Sequence, residues 1–282
     1  MTSQLPGAGF RAALVAATVL APTALVQEPM ASVADVALLA AIFAGMLIFV
    51  EYAAAAPAFL DFRAAPPVNR FRLAALALTT LALALAADGG DAGASALARL
   101  LRAIGLLLGH ATDVPGSPIR VVLLCLPEGI ASIREQEVRA AAGLAYLVSL
   151  VVLTLFAIAL RVWGWPLAPD RFNLWINLPN FPSGAGADVV RRLRRAGTIN
   201  ALLGIGAAYL APPVAMWVGA GQGAMLPDGD LLLVWAIALW AFLPTMLFMR
   251  AIALRRLATM VALRLRRLGA DGAGEDPAFL PA

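Results

Sequence analysis

The chain has 282 residues, of which 62% are hydrophobic and 13% are charged. Soluble domains are typically about half apolar and about a quarter charged, whereas here the excess apolar residues form long runs with almost no charge. The composition therefore excludes an ordinary soluble domain and predicts an all-α, polytopic integral membrane protein. One cysteine and one histidine exclude an internal disulfide and a multi-cysteine or bis-histidine metal site, and we expect no metal and no cofactor.

The apolar runs predict one transmembrane helical domain over residues 1–269, followed by a disordered tail at 270–282. The first run is short and follows Arg11. This is also the pattern of a signal peptide, but we expect the run to be retained as a span. The predicted spans lie at about residues 12–27, 32–52, 72–88, 140–163, 198–219 and 230–250.

The segment from Glu51 to Arg72, which we call the joint, connects the second and third predicted spans. Pro66 and Pro67 prevent a helix from continuing through it. We expect one of its two acids to form an ion pair with one of its three arginines. A simple structural turn is compatible with this pattern, and so is a docking surface or an entry point for protons or ions. The interaction candidates are Glu51, Asp61, Arg63, Asn69, Arg70 and Arg72.

Residues 88–139 form the longest connection between spans, and we predict that this region lies at the outer membrane interface. Arg99 and Arg102 would lie on one face of a helix there. Each would cost about 2.5–3.5 kcal/mol at the bilayer centre, so we expect an amphipathic helix along the surface and not a seventh span. Ser132 and Glu135 predict a capping box at the start of the fourth span.

The fifth predicted span contains a predicted helix break at Pro212 and Pro213. Two missing amide hydrogens free carbonyl groups one turn earlier, near Ala208 and Tyr209. In lipid such groups must be covered by neighbouring side chains or face water. A kink that only serves packing is compatible with this sequence, and so is a broken helix that forms a transport site.

All 21 basic residues are arginine, which is typical of a GC-rich bacterial genome. With the first residue inside, 16 arginines fall on the inner side and five on the outer side. The positive-inside rule therefore predicts a multi-pass protein of the bacterial inner membrane with both termini cytoplasmic. The arginines that flank the last two spans are candidates for contact with anionic lipid headgroups. They are Arg191, Arg192, Arg194, Arg195, Arg255, Arg256, Arg264, Arg266 and Arg267.

The sequence contains no P-loop, nucleophile elbow, zinc-protease motif or dinucleotide fingerprint. It favours a non-catalytic inner-membrane protein that acts as an accessory or assembly subunit of a larger membrane complex. Its expected partners are anionic membrane lipids and other membrane subunits, but not nucleic acid, because the arginines flank spans and form no basic domain. The alternative is a transporter or permease subunit with a Pro-broken fifth helix. A lipid-modifying enzyme comes third, since it would need clustered His, Asp or Glu side chains at one interface.

Overall fold

The computed structural model describes residues 5–27, 31–54, 58–90, 93–166, 177–178, 187–221 and 229–273. Every regular element in these ranges is helical, including a short 3₁₀ turn at Asp88–Gly90. The α-helices are α1 (Leu5–Leu25), α2 (Ala31–Ala53), α3 (Val68–Ala87), α4 (Ala96–Ala111), α5 (Pro118–Leu124), α6 (Ser132–Val162), α7 (Ala187–Gly221) and α8 (Asp230–Ala273).

Six described helices, α1, α2, α3, α6, α7 and α8, are long and apolar enough to cross a membrane. This confirms the predicted all-α, polytopic membrane fold. The helices extend past the apolar runs, because arginine and alanine favour helix whether or not they lie in lipid. Thus α7 begins at Ala187, and α8 continues to Ala273, through the first residues of the predicted disordered tail. Residues 274–282 lie outside the described ranges.

The centre of the bundle is formed by α3, α6 and α8, which all contact one another. The hairpin of α1 and α2 is attached to this centre mainly through contacts between α1 and α3, and α7 packs along α8. The buried side chains form two apolar clusters. One cluster includes Ile119 and Ile237, and the other includes Phe62, Phe156 and Leu254.

Charged side chains of the central helices lie at two levels. At one level Arg134 forms an ion pair with Asp230 at 2.9 Å, and at the other Arg250 meets Asp61 at 2.8 Å. The helix between Asp230 and Arg250 contains no charged residue and spans roughly 30 Å at about 1.5 Å per residue. This equals the thickness of the hydrocarbon core. We call the Asp230 level the loop side and the Arg250 level the joint side.

Helix α4 crosses the first turns of α6 with its backbone in direct contact. A Cβ atom at Gly109 would lie 2.5 Å from the Arg139 carbonyl oxygen, and one at Gly105 would overlap the Ala140 carbonyl. From the other helix, a Cβ atom at Gly143 would overlap the carbonyl oxygen of Gly105. The predicted helix over this region therefore exists, is not among the candidate spans of the described chain, and lies at the loop-side level.

The predicted capping box at the start of α6 is wrong. The N-cap is Ala131, so Ser132 is already helical and its side chain forms no cap hydrogen bond. Glu135 instead forms an ion pair with Arg139 at 2.8 Å, and Arg139 also binds Asp113 at 2.7 Å. The hydrogen bond from Arg139 holds the pKa of the Asp113 carboxyl below its usual range. The charges of this region thus join α6 to the loop that follows α4.

We predict that Gly143→Ala lowers the free energy of unfolding by about 1–3 kcal/mol, because the added methyl group forces α4 away from α6. The matched control is Gly206→Ala in α7, where an added Cβ atom would have only the Leu210 side chain within reach, at 4.0 Å. The control should change stability by no more than about 1 kcal/mol. Thermal denaturation in detergent measures both variants, and equal midpoints would contradict the close α4–α6 contact.

Candidate functional site

Glu51 fixes the turn with which the joint begins. It lies in the last turn of α2 and is 4% exposed. Its carboxylate accepts hydrogen bonds from the backbone N–H groups of Ala58 at 2.9 Å, Leu60 at 3.1 Å and Phe59 at 3.3 Å. Charge-assisted bonds of this kind are stronger than neutral ones. Glu51 therefore acts as an internal brace of the joint and is not exposed for docking.

Arg63 closes the same turn from the opposite direction. Its Nη1 atom donates to the backbone carbonyl of Glu51 and, at 2.9 Å, to that of Ala54. The last carbonyl groups of an α-helix have no partner within the helix. The guanidinium group of Arg63 supplies partners at the end of α2. The joint is therefore bound to this helix twice, through the Glu51 carboxylate and through the Arg63 side chain.

Asp61 connects the joint to α8. Its Oδ2 atom lies 2.8 Å from Nε of Arg250, although the two groups are not aligned as a hydrogen bond. The predicted ion pair with an arginine of the joint is therefore wrong for Asp61, because Arg250 reaches it from a helix that is distant in sequence. Burial raises the pKa of the Asp61 carboxyl, and the positive charges of Arg250 and Arg72 oppose that rise.

Asn69 and Arg72 continue the polar network into the first turns of α3. Asn69 Nδ2 donates to the Asp61 carbonyl at 2.9 Å, and Asn69 Oδ1 accepts from Arg72 Nη1 at 3.0 Å. The Nε atom of Arg72 is buried and has no hydrogen-bond partner among the described residues. The side chain of Arg70 is exposed and forms no hydrogen bond or ion pair within the described chain.

Residues outside the joint also hold it in place, and the sequence pattern did not indicate them. The backbone N–H of Phe62 donates to the Asn177 carbonyl at 2.6 Å, and the Asn177 side chain accepts from the Ala64 N–H at 3.1 Å. The rings of Phe62 and Trp165 meet edge to face at 5.8 Å, and the Trp165 carbonyl accepts from Arg256 at 3.0 Å. The only signal was the Pro- and Asn-rich composition before α7, which does not reveal what that segment contacts.

A cavity of about 690 Å³ lies beside the joint, between the α1–α2 hairpin and the helices α3 and α8. No described carboxylate lines it, because Glu51 binds backbone N–H groups and Asp61 faces Arg250. Its polar lining comes from α1, α2, the joint and the start of α3: Arg11, Tyr52, Arg63, Asn69, Arg70 and Arg72. The structure thus brings most of the interaction candidates to one cavity and leaves the two acids outside it.

The helix break predicted at Pro212 and Pro213 does not occur. Helix α7 continues through both residues to Gly221. Pro212 has no N–H group, so the carbonyl of Ala208 lacks its helical donor, as expected from the sequence. That carbonyl instead accepts a hydrogen bond from Trp240 Nε1 of α8 at 3.0 Å. A neighbouring helix thus satisfies one of the two freed carbonyl groups, and the helix break that suggested a transporter is absent from α7.

The candidate lipid-binding arginines differ in how far their side chains are already engaged. Arg191 and Arg192 form ion pairs with Asp188 at 2.7 and 2.5 Å. Arg255 approaches the Thr198 hydroxyl at 3.5 Å, and Arg256 holds the Trp165 carbonyl. Four others have exposed side chains that bond to no described residue: Arg194, Arg195, Arg264 and Arg266. The side chain of Arg267 lies outside the described residues, and contact of this set with lipid stays a prediction.

Comparison with protein-family models, curated proteins and solved structures finds no match to this chain. Within the described ranges, no group of three or more His, Cys, Asp and Glu side chains is arranged to hold a metal ion. The features of this protein that bear on function are therefore the joint, its cavity and the helices that extend beyond it.

We predict that Asp61→Asn and Arg250→Gln each lower the free energy of unfolding by about 1–3 kcal/mol. This loss is smaller than for a fully buried ion pair, because the Arg250 side chain is 39% exposed. The double variant should lose less than the sum of the two, since either single change already removes the ion pair. The control Arg70→Gln should stay within about 0.5 kcal/mol of the original protein. Additive losses in a thermal denaturation series would show that the pair contributes nothing.

Proposed function

We propose that this protein is a non-catalytic inner-membrane subunit that supports the assembly or activity of a larger membrane complex. The observation that supports this proposal is a two-helix extension on the joint side, which we define as residues 187–197 of α7 and 251–273 of α8. A protein that served only to cross the bilayer would have no need for helices that continue well past its edge.

The extension is a packed structure. Leu193 of α7 and Leu254 and Leu257 of α8 are almost fully buried in it, within the same apolar cluster as Phe62 of the joint. Gly197 allows the two helices to approach closely, because a Cβ atom there would lie 3.0 Å from the Arg255 side chain. The extension is therefore held at a fixed place on the joint, as a partner-binding element must be.

The tip of the extension is too far from the membrane for lipid to be its natural contact. At about 1.5 Å per residue, Arg264 lies roughly 21 Å along α8 from Arg250, which marks the joint-side level. The headgroup layer is only about 5–8 Å thick on each side. Arg264 and Arg266 are exposed at this tip, so we assign them to an acidic surface on a partner protein. Arg194 and Arg195, which lie closer to the joint, fit anionic headgroups better.

The same proposal places the protein in the inner membrane of a bacterium, with the joint, the extension and both ends of the sequence in the cytoplasm. The excess of arginine on the joint side supports this orientation. No described feature now favours the alternative role as a transporter, since α7 is continuous through its proline pair.

We predict that reporter proteins fused after Leu226 and after Gly269 report opposite sides of the membrane, because α8 crosses once between them. Green fluorescent protein should fluoresce when it is fused after Gly269, in the cytoplasm. Alkaline phosphatase, which needs disulfides that form outside the cytoplasm, should be active only after Leu226. If both fusion points gave the same signal, the crossing by α8 would be wrong, and a reversed pair of signals would overturn only the orientation.

We predict that Arg264→Gln together with Arg266→Gln removes a stoichiometric partner subunit at unchanged membrane level of the protein. The matched control is Arg194→Gln together with Arg195→Gln, which removes the same charge closer to the bilayer and should keep the partner. Purification in a mild detergent, followed by quantitative mass spectrometry, measures both. A wild-type protein that purifies only with copies of itself would refute the role as a subunit. If both double variants retained the partner subunit equally, the assignment of Arg264 and Arg266 to a partner surface would be refuted.

A further inference from the structure

The cavity beside the joint has an excess of positive charge at one end. Arg11, Arg70 and Arg72 all line it, and none of them forms an ion pair with a described carboxylate. Of the two acids of the joint, Glu51 is bound to backbone N–H groups, and Asp61 pairs with Arg250 and acts on Arg72 through its charge alone, so neither compensates for Arg11 or Arg70. Uncompensated charge beside an apolar bundle is costly, so the cavity is suited to an anion.

Several donors at this end have no partner of their own. The side chain of Arg70 bonds to no described residue, and the Nε–H of Arg72 is buried without an acceptor among the described residues. Arg11 donates from Nη1 to the Gly7 carbonyl at 2.8 Å and lies over the Tyr52 ring at 4.7 Å, which fixes its guanidinium group beside the cavity and leaves its other N–H groups for a ligand. Planar guanidinium groups match the oxygen atoms of a phosphate with two parallel hydrogen bonds, which makes arginine the preferred partner of this group.

The other end of the cavity is apolar and runs into the membrane. Phe242 and Met246 of α8 line it, and Phe242 lies roughly 12 Å along the helix from Arg250, toward the bilayer centre. Leu14 of α1 and Leu76 of α3 form further walls. A volume of about 690 Å³ is within the usual range of about 300–1,000 Å³ for small-molecule sites.

We propose that this cavity binds an anionic phospholipid, with its phosphate between Arg11, Arg70 and Arg72 and an acyl chain along the wall of Leu76 and Phe242. A soluble anion would use the arginines but leave the apolar wall without a partner. A neutral lipid would fill the wall and leave the arginines uncompensated. Only an anionic amphiphile satisfies both ends, and the cavity lies at the depth where such a molecule resides. The proposal does not depend on any partner protein.

The test uses full-length protein in nanodiscs of phosphatidylcholine that contain an increasing fraction of phosphatidylglycerol. Native mass spectrometry after release from the nanodiscs measures the lipid that stays bound. The original protein should retain one phosphatidylglycerol. Arg11→Gln with Arg70→Gln should lower its occupancy roughly 25-fold, since each arginine near an anionic lipid contributes a factor of about five. Leu76→Trp should lower occupancy similarly by filling the apolar wall.

Matched controls separate this site from general effects on the membrane protein. Arg99→Gln removes an exposed arginine of α4 that lines no described cavity, and Leu78→Trp adds the same ring to α3 at a side chain that is 52% exposed and faces away from the cavity lining. Both should keep the bound lipid. Wild-type retention by the arginine double variant or by Leu76→Trp would overturn the proposal. Binding of inorganic phosphate that Leu76→Trp leaves unchanged, without retained phosphatidylglycerol, would overturn it in favour of a soluble anion.

Discussion

The thickness of the hydrocarbon core is the constraint on which this structure depends. Charged side chains are expensive inside it, and α8 therefore carries an uncharged stretch of roughly 30 Å between Asp230 and Arg250. The ion pairs Arg134–Asp230 and Asp61–Arg250 lie at the two ends of that stretch. Each pair joins α8 to a different part of the chain, so the positions of α6 and the joint follow from where the charges of α8 can lie.

The joint shows how a polar connection becomes rigid at a membrane edge. Glu51 and Arg63 bind backbone groups of the turn and of the end of α2, and Asp61 binds α8. Asn177 accepts two backbone hydrogen bonds from the joint. Because these side chains are satisfied within the protein, the arginines left over at the neighbouring cavity are the groups available for a ligand. The proposed anionic lipid is therefore expected at the cavity arginines, which are not needed to hold the joint together.

The sequence was sufficient to predict the spans and to single out the joint. Lipid demands long uncharged runs, and that demand is local in sequence. The partner of Asp61 could not be predicted from the sequence, because Arg250 is brought there only by the packing of α8 against α3. For the same reason the hydrogen bond from Trp240 to the Ala208 carbonyl could not be predicted, although the freed carbonyl itself was expected from Pro212.

Misplaced helix ends have a related cause. Hydropathy marks where a helix enters lipid, whereas the helix itself ends where its backbone loses hydrogen bonds. Helix α6 begins one residue earlier than the capping box predicted. Ser132 therefore lies inside the helix, and Glu135 binds Arg139. In α8 the helix continues past the end of the apolar run at Arg250, and this continuation builds the extension. The elements were thus predictable, but their ends and mutual contacts required the structure.

One helix takes part in the cavity, in the joint and in the extension. Phe242 and Met246 of α8 line the cavity, Arg250 holds the joint, and Arg264 lies at the tip of the extension. A proline inside a helix removes one backbone hydrogen bond and is the point at which the helix bends most readily. In α8 this residue is Pro244, and the cavity residues Phe242 and Met246 lie on either side of it. A change of about 5° in helix direction displaces the far end of the extension by about 3 Å, given roughly 34 Å of helix beyond Arg250. The cavity inside the membrane thus borders the one residue of α8 at which a small bend is amplified most strongly outside it.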